Sequence, residues 1–208
     1  PIIKNILDEL FGKNSNLSYK SPTEMGINEL KTGIVADKKA RYAAKQEIIF
    51  YHFRYREEYL EGGGSEKTLK RMAQIMAKLA LKETDRPTVK PAREAAEEAK
   101  KQEEKGNQGI FCGAALELPN GKIITGKNSP LMHAEAALLL NALKELARIP
   151  DEIDLIPVEI IKNLTQFKKE TLGETSANLD ANEILLALSL GKSTNPLAEK
   201  ALEQTPKL

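Results

Sequence analysis

Three polar residues near the start of one predicted helix carry the side chains best suited to chemistry. Asn128, His133 and Glu135 offer an amide, an imidazole and a carboxylate within a short stretch of sequence. A concave pocket with a few such groups could hold a small polar ligand. The alternative is structural, with His133 capping or packing near the helix start and Glu135 interacting favourably with the helix dipole.

The remaining reactive side chains give weaker signals. Cys112 is the single cysteine, which excludes an internal disulfide and a multi-cysteine zinc site. It falls on a predicted central strand, where we expect a small buried apolar residue rather than a nucleophile, since no neighbouring base is evident. His52 lies on a Tyr- and Arg-rich helix, and we expect an ordinary surface or interface residue.

Composition narrows the class of protein. The 208 residues include 31 Lys and Arg against 30 Asp and Glu, for a formal net charge of +1. This balance argues against a polybasic nucleic-acid surface, and the 41% apolar content excludes disorder along the whole chain. No apolar run approaches the roughly 18 residues of a membrane span, and nothing resembles a signal peptide. We therefore expect a cytoplasmic protein without nucleic-acid or membrane partners.

The first part of the chain has the pattern of a helical subdomain, over residues 1–86. A short helix is predicted near the start, and Ser21-Pro22-Thr23-Glu24 is a typical helix start. A long helix from Asp37 to about Leu60 and a second one capped by Ser65 are separated by three glycines, and these two helices should form an antiparallel hairpin with a packed apolar stripe. Asp85-Arg86-Pro87 marks the boundary.

The second part, residues 87–208, mixes helices and strands. Two strands, at 109–118 and 122–127, flank Asn120-Gly121, a strong hairpin signal because both residues tolerate positive φ. The other predicted elements are helices at 91–105, 130–147, 157–169 and 181–190, a last helix from 195, and a short strand at 153–156. The fold class is α+β or α/β, a helical subdomain followed by a three-layer α/β/α subdomain.

This order of elements resembles the cytidine deaminase-like fold. The hairpin ending in Gly126-Lys127-Asn128 and the following His133-Ala134-Glu135 are similar to that superfamily's signatures. The resemblance implies that His133 would ligate zinc, Glu135 would shuttle a proton and Asn128 would contact substrate. However, Val158 and Ile161 stand where the superfamily has its two zinc cysteines. We therefore expect no metal, no cofactor and no complete catalytic constellation.

The whole chain also resembles the C-terminal part of an uncharacterised bacterial family, domain of unknown function 1846. The resemblance is carried by the following segments: Tyr19 to Asn28, Ala44 to Ile49, Asp85-Arg86-Pro87, and the run from Leu116 through Thr125-Gly126-Lys127 to Ala142. It implies that the chain is a fragment, that a missing N-terminal half of the same protein is a partner, and that a final strand is absent. Ser21, Pro22, Thr23 and Glu24 are the predicted contact with that half, and a homo-oligomer is expected.

The sequence leaves three functions open. The first is a non-catalytic module that assembles subunits or covers a ligand of a larger nucleotide-binding-like protein. The second is a metal-free pocket for a small molecule or nucleotide, belonging to an enzyme and formed by Asn128, His133 and Glu135. The third is zinc-dependent deamination, which the missing cysteines disfavour.

Overall fold

The computed structural model describes residues 37–208 of the chain, which divides into two compact units, Pro1–Leu81 and Lys82–Leu208. The described part contains seven α-helices and one two-stranded sheet. The predicted contact at Ser21, Pro22, Thr23 and Glu24 lies outside the described residues. The first unit is described from Asp37 onward.

The first unit contains a helical hairpin. Helix α1 spans Asp37–Leu60 and α2 spans Glu66–Lys78. The predicted cap is confirmed, because the Ser65 hydroxyl accepts a hydrogen bond from the Thr68 backbone N–H at 3.2 Å. In the connecting turn a Cβ at Gly64 would lie 2.7 Å from the Tyr59 backbone nitrogen, so only glycine fits there.

The apolar stripe of this hairpin is buried only in part. Ile49 on α1 and Met76 on α2 are buried. Tyr42 and Tyr59, which are also on α1, are exposed. Most apolar side chains of α1 therefore face outward among the described residues.

The second unit is built around a β-hairpin. After a short 3-10 helix at Glu83–Asp85 come α3 (Val89–Ala99), β1 (Gly113–Glu117) and β2 (Ile123–Lys127). The strands pair antiparallel, with Ala114 opposite Gly126. The predicted Asn120-Gly121 turn is confirmed, and Gly121 has a φ of +81°.

Two glycines allow helices to approach the hairpin. A Cβ at Gly113 would meet the α3 backbone at Ala92, and a Cβ at Gly126 would meet the backbone of the next helix at Leu138. Gly113 and Gly126 belong to adjacent cross-strand pairs, and neighbouring pairs alternate between the two faces of a sheet. The helices therefore cover opposite faces.

Four more α-helices complete the unit. They are α4 (Ala134–Ala147), α5 (Val158–Glu170), α6 (Ala181–Gly191) and α7 (Pro196–Leu202), followed by a 3-10 helix at Thr205–Lys207. The largest fully buried side chains of the core are Leu143, Leu179, Ile184 and Leu188. Asp180 and Glu183 form the capping box of α6.

The short strand that the three-layer fold predicts at 153–156 is not formed. Among residues 37–208 the sheet has two strands, and 153–156 forms bends and irregular backbone instead of a strand. Leu155 and Ile156 are nonetheless buried, and the Ile153 N–H donates to the Pro150 carbonyl. Burial there satisfies the apolar pattern without strand pairing, and the cytidine deaminase-like fold is not confirmed.

Candidate functional site

Asn128 lies directly after β2 and is buried. Its side-chain Oδ1 accepts a hydrogen bond from the Cys112 N–H at 2.8 Å, and its Nδ2 donates to the Ile110 carbonyl at 3.0 Å. Its backbone carbonyl also accepts a hydrogen bond from the Gly106 N–H at 2.9 Å. Asn128 thus holds residues 106–112 against the end of the hairpin through both its side-chain amide and its backbone.

His133 and Glu135 flank the start of α4. The predicted helix begins at Pro130, but the observed helix begins at Ala134, and His133 is extended, with φ −69° and ψ 163°. The His133 N–H donates to the Leu179 carbonyl at 2.9 Å, while its imidazole makes no capping bond. His133 is half-buried, and Glu135 is exposed in the first turn of the helix.

A short parallel bridge explains the late helix start. Met132 pairs with Leu179, and the Leu179 N–H donates to the Leu131 carbonyl at 2.9 Å. This pairing draws residues 131–133 into extended backbone and ties them to the segment before α6. Tertiary hydrogen bonding therefore overrides the local signal of Pro130.

A polar network beside this bridge has no obvious sequence signature. Asn178 is buried, receives a hydrogen bond from Asn107 Nδ2 at 2.7 Å and donates to the Ser129 carbonyl at 2.6 Å. The buried Lys168 ammonium donates to the Asn178 carbonyl and to Glu183 Oε2, both at 2.8 Å. Asparagines in loops and a lysine on a helix carry no pattern that predicts such convergence.

The environment of Lys168 favours its charged form. Burial lowers the pKa of Lys168, but hydrogen bonds and Coulomb attraction to Glu183 and Glu174 outweigh that effect. Its pKa therefore lies above the ordinary value of 10.5. The ammonium is therefore charged at neutral pH, and it joins α5, the following loop and α6.

The donor set for zinc does not fit. Pro157 is the N-cap of α5, Val158 is exposed and Ile161 is buried in the core, so neither aliphatic position can supply a ligand. Within residues 37–208 no three His, Cys, Asp or Glu side chains are grouped to hold a metal ion. Cys112, expected to be buried, is exposed.

No helix in the described range combines the length and apolar character of a bilayer span.

The fold and polar network define a mixed α/β protein, and comparison with known proteins identifies its family. The chain belongs to the DUF1846 family: the model "Domain of unknown function DUF1846, C-terminal" matches residues 84–208, and the N-terminal model of the same family matches residues 1–80.

Bacterial relatives match over almost the whole chain. A "UPF0371 protein" of Clostridium tetani is 43% identical over 204 residues, covering 98% of this chain and 40% of the relative. A second, from Fusobacterium nucleatum, is 41% identical over 210 residues, covering 100% of this chain and 41% of the relative. The chain thus spans about two fifths of the length of these relatives.

These matches correct the partner prediction. The prediction that a missing N-terminal half of the same protein is the partner is contradicted, because the family's N-terminal model matches residues 1–80 of this chain. The description of the chain as only the C-terminal part of the family is not supported, for the same reason.

Proposed function

We propose that the chain is a non-catalytic module of the DUF1846 family, which covers a ligand or takes part in an assembly without supplying a reacting group. The observation that carries this proposal is the state of the Asn128 amide. Its oxygen and its nitrogen are both bonded to the backbone, at 2.8 and 3.0 Å. The amide is buried and these two bonds fix its orientation, so its second N–H and second lone pair would meet a ligand only at a buried position.

The adjacent network supports the same function. Lys168, Asn178 and Glu183 bond to one another and to the backbone, so their polar atoms are committed to the fold. A satisfied buried network favours one arrangement of the surrounding segments. Such rigidity suits a module that presents a fixed surface, whereas a small-molecule site directs polar groups toward its ligand.

A second candidate function is a metal-free pocket of an enzyme for a small polar molecule or nucleotide. It is favoured by the start of α4 at Ala134. If both residues lay within a helix, the side chains of His133 and Glu135, two positions apart, would point about 200° apart around the helix axis. Because His133 is extended and precedes the helix, this divergence does not apply to it. Asn128 would contribute the second N–H of its amide and the second lone pair of Oδ1 to a ligand that reached this buried side chain.

Incubation with a panel of nucleosides and nucleotides separates the two functions. The chain and an H133A/E135Q variant are compared by chromatography of the products and by thermal shift. The non-catalytic proposal expects no conversion and the same thermal shifts for both proteins. The matched control is Glu152→Gln, which removes an exposed carboxylate elsewhere in the unit.

Two outcomes contradict the non-catalytic proposal. One is conversion of any nucleoside or nucleotide that H133A/E135Q abolishes. The other is a thermal shift lost in H133A/E135Q and retained in E152Q, because binding would then depend on the side chains of the second candidate.

A further inference from the structure

A groove in the helical hairpin of the first unit has the chemistry of an anion site. One cavity of about 410 Å³ is lined by Tyr55 of α1 and by Lys67, Thr68, Arg71, Met72 and Ile75 of α2. A second, of about 740 Å³, is an open hollow lined by residues of α2 alone: Glu66, Lys67, Lys70, Arg71 and Gln74. We call these two cavities, which share Lys67 and Arg71, the hairpin groove.

The groove carries excess positive charge. Lys67, Lys70 and Arg71 are three and four residues apart on α2, so they lie on one side of the helix. Lys70 is paired with Glu66 at 2.8 Å. Lys67 and Arg71 make no ion pair within residues 37–208. Among the residues that the structure describes, two cations are thus available to a ligand.

The net charge of the helical hairpin also favours an anionic ligand. Residues 37–81 contain ten Lys and Arg against six Asp and Glu, a formal charge of +4, although the whole chain carries only +1. A local concentration of one sign raises the local concentration of oppositely charged ligands. The near-neutral composition of the chain conceals this asymmetry.

The other wall of the groove is aromatic and apolar. Tyr55 is half-buried and stacks on Tyr51, with ring centroids 5.7 Å apart and an interplanar angle of 27°. Met72 and Ile75 are also half-buried and line the same cavity as Tyr55. A free inorganic anion would leave this surface unused, whereas a planar base packs well against a tyrosine ring.

We propose that the hairpin groove binds a free nucleotide, with its phosphates on Lys67 and Arg71 and its base against Tyr55. Arginine and lysine form charge-assisted hydrogen bonds to phosphate, and arginine can do so with two parallel bonds. This site lies in the first unit and shares no residue with Asn128, His133 and Glu135. The nucleotide site therefore stands independently of the proposed function, which is argued from residues of the second unit.

Calorimetric titration of the whole chain with ADP tests the proposal. We expect saturable binding below about 1 mM. A K67Q/R71Q variant should bind at least about tenfold more weakly. The matched control is Lys78→Gln, which removes one charge from α2 outside both cavities and should change the affinity less than about twofold.

The aromatic contact is tested separately. Tyr55→Leu should weaken ADP binding by about tenfold, and Tyr55→Phe, which keeps the ring, should retain it. Circular dichroism checks that each variant is folded, and Tyr55→Phe keeps the test valid if the leucine variant is not. Adenosine and inorganic tripolyphosphate should each bind more weakly than ADP.

Four results would overturn the proposal. They are the absence of saturable ADP binding, an equal loss in K78Q and K67Q/R71Q, tripolyphosphate binding as tightly as ADP, and a folded Tyr55→Leu variant with unchanged affinity. A single-stranded oligonucleotide that binds more tightly than ADP would also contradict a mononucleotide site, because it would identify a polymer as the ligand.

Discussion

Asn128 and Cys112 are joined by two hydrogen bonds that close a small ring between the ends of the β-hairpin. The Asn128 N–H donates to the Cys112 carbonyl at 3.1 Å, and the Cys112 N–H donates to Asn128 Oδ1 at 2.8 Å. The first bond extends the pairing of the strands by one step, and the second replaces a backbone bond with a side-chain bond. Asn128 therefore terminates the hairpin and fixes the segment that precedes it.

Asn128→Ala should destabilise the second unit by about 1–2 kcal/mol, because two part-buried hydrogen bonds are lost and the Ile110 carbonyl and Cys112 N–H lose their partner. Chemical denaturation measures the change. Asn163→Ala, at an exposed position of α5, is the matched control and should shift stability by less than about 0.5 kcal/mol. Equal stability of N128A and the parent chain would show that the amide does not hold this segment.

Lys168→Met should destabilise the second unit by about 3 kcal/mol, since it leaves the Glu183 carboxylate without its cation. The pKa of Lys168 is raised in the folded state, so its contribution is complete below the unfolded pKa of about 10.4 and is lost as pH rises through the folded pKa. The stability difference between K168M and the parent should be constant from neutral pH to about pH 9 and shrink at more alkaline pH.

Lys169→Met controls for the loss of a lysine at the neighbouring, exposed position. It should change stability by less than about 0.5 kcal/mol at neutral pH. A K168M effect no larger than that of K169M would mean that the network contributes little to stability.

Gly126→Ala should cost about 3 kcal/mol because the new Cβ would lie 2.2 Å from the Leu138 nitrogen and 2.4 Å from the Ala134 carbonyl oxygen. Both are backbone atoms of α4, so relief requires moving the helix. Gly191→Ala is the control: Gly191 is also buried, but its nearest contact would be an ordinary 3.9 Å, and the change should stay within about 1 kcal/mol. Similar denaturation midpoints for the two variants would contradict the close packing of β2 on α4.

The local features of the fold could be predicted from the sequence. The Ser65 cap, the Asn120-Gly121 turn and the Asp180 cap each depend on residues within a few positions of one another. Their chemistry is contained in short segments, because a cap or a turn satisfies backbone groups that are close in sequence. The structure places the predicted Ser65 cap and Asn120-Gly121 turn where the pattern indicates.

The candidate site could be predicted only in part, since its contacts are distant in sequence. Asn107 and Asn178 are separated by 71 positions, yet their side chains are hydrogen-bonded. In the sequence, Lys168 on α5 has the pattern of a solvent-exposed side chain. In the structure, the loop after α5 packs over it. The early start predicted for α4 failed for a related reason, because the Met132–Leu179 bridge extends residues that local propensity favours as helix.

The pKa of Glu98 offers a test of the packing between α3 and β2. A hydrogen bond from Lys127, with Nζ and Oε2 2.8 Å apart, together with its positive charge, holds the pKa of Glu98 below its ordinary value of 4.5. Lys127→Met should return the pKa of Glu98 toward that value. Carbonyl-detected NMR during an acid titration measures the change directly.

The lowered pKa of Glu98 determines how the stability contributed by its ion pair with Lys127 changes with pH. A depressed pKa means that the ion pair contributes stability above the unfolded value of about 4.3 and loses it as pH falls through the folded pKa. Lys100→Met, which removes a cation paired with Glu97 instead, should leave the pKa of Glu98 low. If K100M raised the pKa of Glu98 as far as K127M does, the shift would reflect general positive charge on α3, and the Lys127 contact between strand and helix would not be its cause.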